Sequence, residues 1–248
     1  MSEPLVDHRT YAVPKEGGAV GDYEDAAAVS DDAWPVCAAV ADGATESAFA
    51  RTWAKRLVRG IVDSGATTAD VLRGAIPDWQ AEWRDAVRER ATERPWYVTA
   101  KAAEGAFAAV LGLSLHADGR WRAVSVGDCC LFQVRDEALV RSWPFAAADA
   151  FTNRPRLVSS QSSSAVPVPD ATTGSWQTGD QFLLATDAVA AWLMDEDPTV
   201  VGALSPAAFR ERVKAARADG ALRNDDATLL VLELTPPPES DDETSAGS

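Results

Sequence analysis

The sequence predicts an α+β protein built on antiparallel sheets, and three observations carry that prediction. Between residues 105 and 143, short apolar runs alternate with tight turn signals at Asp118-Gly119, Gly127-Asp128 and Glu137-Ala138. Turns this short join antiparallel neighbours, whereas parallel strands need long crossovers. Secondly, Phe49, Trp53, Leu57 and Ile61 recur every four residues, which places them along one face of a helix. Thirdly, apolar runs at 36–40, 182–185 and 229–234 each have a carboxylate at one end: Asp42, Asp187 and Asp225.

The bulk composition is that of a globular chain with a sizeable core. It has 248 residues, 46% hydrophobic and 25% charged, with a formal net charge of −15. That balance excludes nucleic acid and anionic membranes as main partners, because phosphate backbones select basic surfaces. No basic leader precedes an apolar segment and no apolar run is long enough to span a bilayer, so a cytoplasmic protein is expected. Cys37, Cys129 and Cys130 form neither a disulfide framework nor a zinc pattern and read as buried thiols.

In chain order, residues 5–13 alternate loosely and suit an edge strand. Glu24-Asp25 opens a strand over 26–30, and Asp31-Asp32 turns it into the strand over 36–40. In such a hairpin the start of one strand lies beside the end of the next, so Glu24, Asp25 and Asp42 should share a sheet edge. Asp42-Gly43 leads to the first helix, with Thr45 or Ser47 as its N-cap. A second helical region spans 68–94, with Leu72, Ile76, Trp79, Trp83 and Val87 as a core stripe and Pro77 as an expected interruption. Residues 145–174 read as an irregular segment containing a flexible serine-rich loop. A strand over 182–185, a helix over 188–194, a helix over 205–218 and a last strand over 229–234 complete the domain. Residues 1–235 are expected to form that domain, and residues 236–248 a disordered acidic tail.

The chemistry should lie where these carboxylates meet. Each alone is explained as a turn former or helix cap. Together at one sheet end they would repel unless a cation neutralised them, and oxygen ligands without His or Cys favour Mg²⁺ or Mn²⁺ over zinc.

The order of motifs resembles the type 2C, metal-dependent (PPM) serine/threonine protein phosphatases. They are Glu24-Asp25-Ala26, Ala41-Asp42-Gly43, Ser125-Val126-Gly127-Asp128, Ala185-Thr186-Asp187 and Asn224-Asp225-Asp226-Ala227-Thr228. The resemblance implies a four-layer α-β-β-α sandwich, two antiparallel sheets flanked by helices. It also implies two metal ions, Mn²⁺ or Mg²⁺, bridged by Asp42. The Gly43 carbonyl would ligate the second ion, Asp187 and Asp225 would complete the first site, and Glu24 and Asp25 would hold the second. Asp128 matches a position that helps bind a third ion in some members. Asp42, Asp187 and Asp225 would carry the catalysis, in which the metal pair activates a water for in-line attack on phosphorus. The implied partner is a phosphorylated protein, a Ser/Thr kinase or its targets, met by a monomer.

Three departures from the family pattern bear on activity. Val20 stands where the family often has a phosphate-gripping Arg, Ala44 where many members carry a general-acid His, and Asp187-Ala188 where the family has Asp-Gly. Arg9 and Lys15 are the candidate replacements. A divergent bacterial-type phosphatase is therefore expected, with a pseudophosphatase acting as a regulatory or binding module as the alternative.

Overall fold

The computed structural model describes residues 4–17, 22–31, 33–44, 49–91, 104–152, 154–202 and 204–236. Two antiparallel sheets face each other. The first contains β1 (Leu5–Val13), β6 (Cys130–Arg135), β7 (Ala138–Trp143), β10 (Gln181–Ala185) and β11 (Ala227–Thr235), in the order β1-β11-β10-β6-β7. The second has the order β2-β3-β4-β5-β9, from β2 (Ala26–Val29), β3 (Val36–Gly43), β4 (Phe107–Leu115), β5 (Arg120–Val126) and β9 (Asp170–Ser175). A short β8 (Val158–Ser159) pairs with the start of β4. Helices α1 (Ala50–Ser64) and α2 (Ala69–Ala91) cover the second sheet, while α3 (Asp187–Asp195) and α5 (Pro206–Ala218) cover the first. A single-turn α4 (Pro198–Val201) lies between α3 and α5 in the chain. This is the four-layer sandwich that the resemblance implies.

Period-two alternation explains how strands buried on both faces feed two cores at once. On β11, Leu230, Leu232 and Leu234 point between the sheets, where they join Leu111, Leu113, Trp121 and Phe182. Their neighbours Leu229 and Val231 pack outward against Val189, Trp192, Phe209 and Val213. The third core lies under α1 and α2, where Trp53, Leu57 and Ile61 meet Leu72, Ile76, Trp79 and Trp83. Gly60 lets the two helices approach: a Cβ there would come within 2.3 Å of the Trp79 ring.

Several expectations change at their edges. The second helix runs unbroken through Pro77, because the stripe from Leu72 to Val87 is buried on both sides of it. The first helix begins at Ala50, after Phe49 in a left-handed conformation (φ 63°), without a side-chain cap. Thr45 and Ser47 lie outside the described residues, as do Val20 and residues 237–248. The 145–174 segment is more ordered than its composition suggests, supplying β8 and most of β9. Ser159 and Ser160 are buried, and Gln80 Nε2 donates to the carbonyls of Ser159 (2.9 Å) and Gln161 (3.1 Å). Polar residues here satisfy buried backbone instead of facing water, which composition alone does not reveal. No helix among the described residues is long and apolar enough to cross a membrane.

Candidate metal centre

Register brings the carboxylates to one end of both sheets. Ala26 pairs with Ala41, so Asp25 enters β2 beside Asp42 as it leaves along β3. Gly43 pairs with Ala108 at the start of β4, and Val110 with Val126 at the end of β5. The chain then turns through Gly127-Asp128 into the first sheet, where Cys130 pairs with Ala185 at the end of β10. Ala185 also pairs with Leu229 near the start of β11, so Asp187 and Asp225 face the same end. The antiparallel hairpin predicted from sequence is therefore present.

Gly43 is required by close packing, since a Cβ there would lie 2.8 Å from the Glu24 carbonyl oxygen. Asp25 is buried and spans the two sheets: its Oδ2 accepts from Thr186 Oγ1 (2.9 Å) and Thr228 Oγ1 (2.7 Å) of the opposite sheet. The Tyr23 hydroxyl is hydrogen-bonded to Thr228 in turn. Asp226, which sequence reasoning did not single out, is buried and accepts from the Lys15 amide (2.9 Å) and the Glu24 amide (2.7 Å). It thereby ties the end of β1 to the entrance of β2.

The electrostatics are those of crowded carboxylates. Burial, followed by repulsion from Asp226 and Asp187, pushes the Asp25 carboxyl up to about 8. Burial, followed by Asp187, pushes Asp128 up to about 7. Asp42 is held well above the ordinary carboxylate range by burial and by the charges of Asp25, Asp187, Asp128 and Asp225. Asp187 Oδ1 is buried without a hydrogen-bond partner. An acceptor in that state carries a desolvation cost that a bound cation removes.

Internal cations hold the rest of the cluster. Arg223 Nη2 is ion-paired with Asp187 and lies 3.2 Å from Asp225 Oδ2. Lys15 Nζ lies 3.2 Å from Glu24 Oε2. Among the described residues, no group of three or more acidic, His or Cys side chains is drawn together tightly enough to hold a metal ion as it stands. Nothing in the sequence flagged Arg223; a basic residue two positions before an acidic strand entrance looks like an ordinary surface charge. Arg9 is placed elsewhere, pairing with Glu233 at 3.1 Å in the body of β1.

Fold and site together define a four-layer α-β-β-α sandwich with an acidic pole where both sheets end. Residues 22–227 match the family model described as protein phosphatase 2C, and the chain belongs to that family. Solved structures agree on the fold. The catalytic domain of the serine/threonine phosphatase PstP, in complex with two manganese ions, matches with a TM-score of 0.62 at 16% identity, covering 94% of this chain and 99% of that one. PppA, a regulatory component of T6SS in Pseudomonas aeruginosa, gives 0.58 at 19% identity, over 94% and 99% of the two chains. RsbX in complex with magnesium gives 0.54 at 16%, over 93% and 96%. No curated protein matches the sequence.

Proposed function

We propose that this protein is a divergent, bacterial-type phosphatase that hydrolyses phosphoserine or phosphothreonine in proteins, dependent on Mn²⁺ or Mg²⁺ and working in the cytoplasm. The observation that carries the reading is the set of oxygen donors at the sandwich end, with Asp187 Oδ1 buried and unpartnered among repelling carboxylates. An all-oxygen donor set fits a hard divalent cation. Asp42, the Gly43 carbonyl, Asp187 and Asp225 would hold it, with Glu24, Asp25 and Asp128 beside them. PstP with manganese and RsbX with magnesium support the choice of ion. When bound, such an ion supplies a water of lowered pKa and neutralises charge on the phosphoryl group.

The chain's own groups then have distinct tasks. Asp42 presents its carboxylate from the rigid end of β3, and Asp187 presents its own from the first turn of α3. Thr186 and Thr228 orient Asp25. Asp226 fixes the Glu24 backbone, and Lys15 holds the Glu24 side chain in reserve. Arg223 balances Asp187 and Asp225; with a divalent ion held by those carboxylates its guanidinium would be available to a phosphate oxygen.

A second reading, a pseudophosphatase acting as a binding module, draws on Arg223 already occupying two of the carboxylates and on Ala44 in place of a proton donor. Hydrolysis of an aryl phosphate and of a phosphothreonine peptide, with and without Mn²⁺, separates the two readings. Metal-dependent turnover that falls by about 10²–10³ in Asp42→Asn is expected. Mn²⁺ binding by calorimetry without turnover on either substrate overturns the enzyme reading in favour of the module.

A further inference from the structure

A cleft of about 630 Å³ lies between α1 and α2, and it runs against the charge of the molecule. The chain carries a net −15, yet Arg51, Lys55, Arg56, Arg59 and Arg90 all line this one cavity. Among the described residues Glu82 is the one carboxylate in its walls, and it is engaged by Arg56 at 3.0 Å. Arg51, Lys55 and Arg59 are spaced four apart on α1, an arrangement that costs helix stability through like-charge repulsion. Burial and the charges of Arg51, Arg59 and Arg90 hold the Lys55 ammonium below its ordinary value.

The walls also contain donors with nothing to donate to. Trp83 is 5% exposed and its indole Nε1 has no hydrogen-bond partner. The Nε atoms of Arg51 and Arg56 are likewise buried and unpartnered. Buried N–H groups are rarely left unpaired, and these three stand behind a wall whose exposed cations, Lys55 and Arg59 among them, call for an anionic ligand. A second cleft of about 210 Å³ shares Arg51, Lys55 and Arg59 and continues to Tyr23, Asp25 and Thr228. The basic tract therefore leads from the helical layer to the edge of the acidic pole.

We propose that the α1–α2 cleft is a docking site for a phosphorylated segment of a protein partner, whose phosphoryl oxygens accept from the exposed Lys55 and Arg59 and from the guanidinium groups of Arg51 and Arg56. Its identification as substrate docking rests on the phosphatase reading; the anion site stands without it. A phosphoryl group supplies several acceptor oxygens and near-double charge, which suits a cavity lined by five cationic side chains.

The test uses the full chain in EDTA, where the uncompensated carboxylates repel phosphate and the cleft is read by itself. A short peptide with two phosphothreonines, its glutamate-substituted counterpart and a single-stranded RNA oligonucleotide are titrated by calorimetry. Binding of the phosphopeptide is expected, unchanged in Asp42→Asn and weakened about tenfold or more by Lys55→Glu with Arg59→Glu, two exposed positions where folding should be preserved and is checked by circular dichroism. No binding by wild type, or equal binding by the double variant, overturns the site. Equal binding of the glutamate peptide or tighter binding of the RNA overturns the assignment to a phosphorylated protein. With Mn²⁺, the double variant should raise KM for the phosphopeptide and leave aryl phosphate turnover unaltered. Absent turnover on both substrates defeats the phosphatase reading while leaving the EDTA result intact.

Discussion

Strand β10 has an aspartate at each end, and the two live in opposite circumstances. Asp180, just before the strand, is fully buried yet saturated: Arg135 donates to it through Nε (2.6 Å) and Nη2 (2.7 Å), Gln133 Nε2 at 2.8 Å and the Gln177 amide at 3.0 Å. Burial pushes its carboxyl up, but those donors outweigh it and the group stays below the usual range. Asp187, just after the strand, keeps one buried oxygen without a partner and faces other carboxylates. An acid that serves the fold is surrounded by donors, whereas the acid proposed to hold a cation is left short of them.

This contrast sets the order of expected effects. Asp180→Ala should be the most damaging to stability, by about 3–5 kcal/mol, because Arg135 loses its buried partner; chemical denaturation measures it. Asp42→Asn, examined the same way in EDTA, should be neutral or stabilising by about 1 kcal/mol, since it removes repulsion without orphaning a donor. If both variants destabilise alike, the donor-saturated acid and the acids of the pole do not differ as described.

Arg223→Ala comes next. It frees Asp187 and Asp225, so Mn²⁺ affinity measured by calorimetry should tighten about three- to tenfold. The gain is modest because the Arg223 side chain is 58% exposed and solvent already screens its ion pairs. Unchanged affinity would mean that Arg223 does not compete with the cation.

A further effect is on pH dependence. Asp25 and Asp128 have folded-state values near 8 and 7, above the 3.8 of an unperturbed carboxyl. The native state thus holds protons that the unfolded chain has released, and native stability falls as pH rises from about 4 towards 8. In EDTA the melting temperature should decline across that window; saturating Mn²⁺ should flatten or reverse the slope, since the ion binds the deprotonated forms. Asp180 has the opposite sign, its contribution disappearing as pH drops through its depressed folded-state value.

Much of this architecture was legible in the residues. Alternating apolar runs and the turns at Asp118-Gly119 and Glu137-Ala138 specified two hairpins. Gly127-Asp128, read as a third turn of one meander, instead carries the chain from one sheet to the other. The hairpin argument correctly placed Asp25 beside Asp42. What escaped the sequence were contacts between distant segments. Asp226 looked like half of an acidic doublet, yet it bonds two amides more than 200 positions away. The serine-rich stretch read as a loop because its Gln80 partner sits on a remote helix. Arg223 and the basic cleft required knowing which side chains share a space, information that periodicity on one element does not contain.

Asp25 stands on one sheet and is grasped by hydroxyls from the other. That single carboxylate makes the acidic pole a gauge of how the two sheets are seated. A slip of one sheet over the other by an ångström would open these bonds while each hydrogen-bonded ladder stayed whole. Warming or pressure should thus silence the pole while far-ultraviolet circular dichroism still reports an intact fold, and a cross-link between the sheets should widen the working temperature range without touching the chemistry.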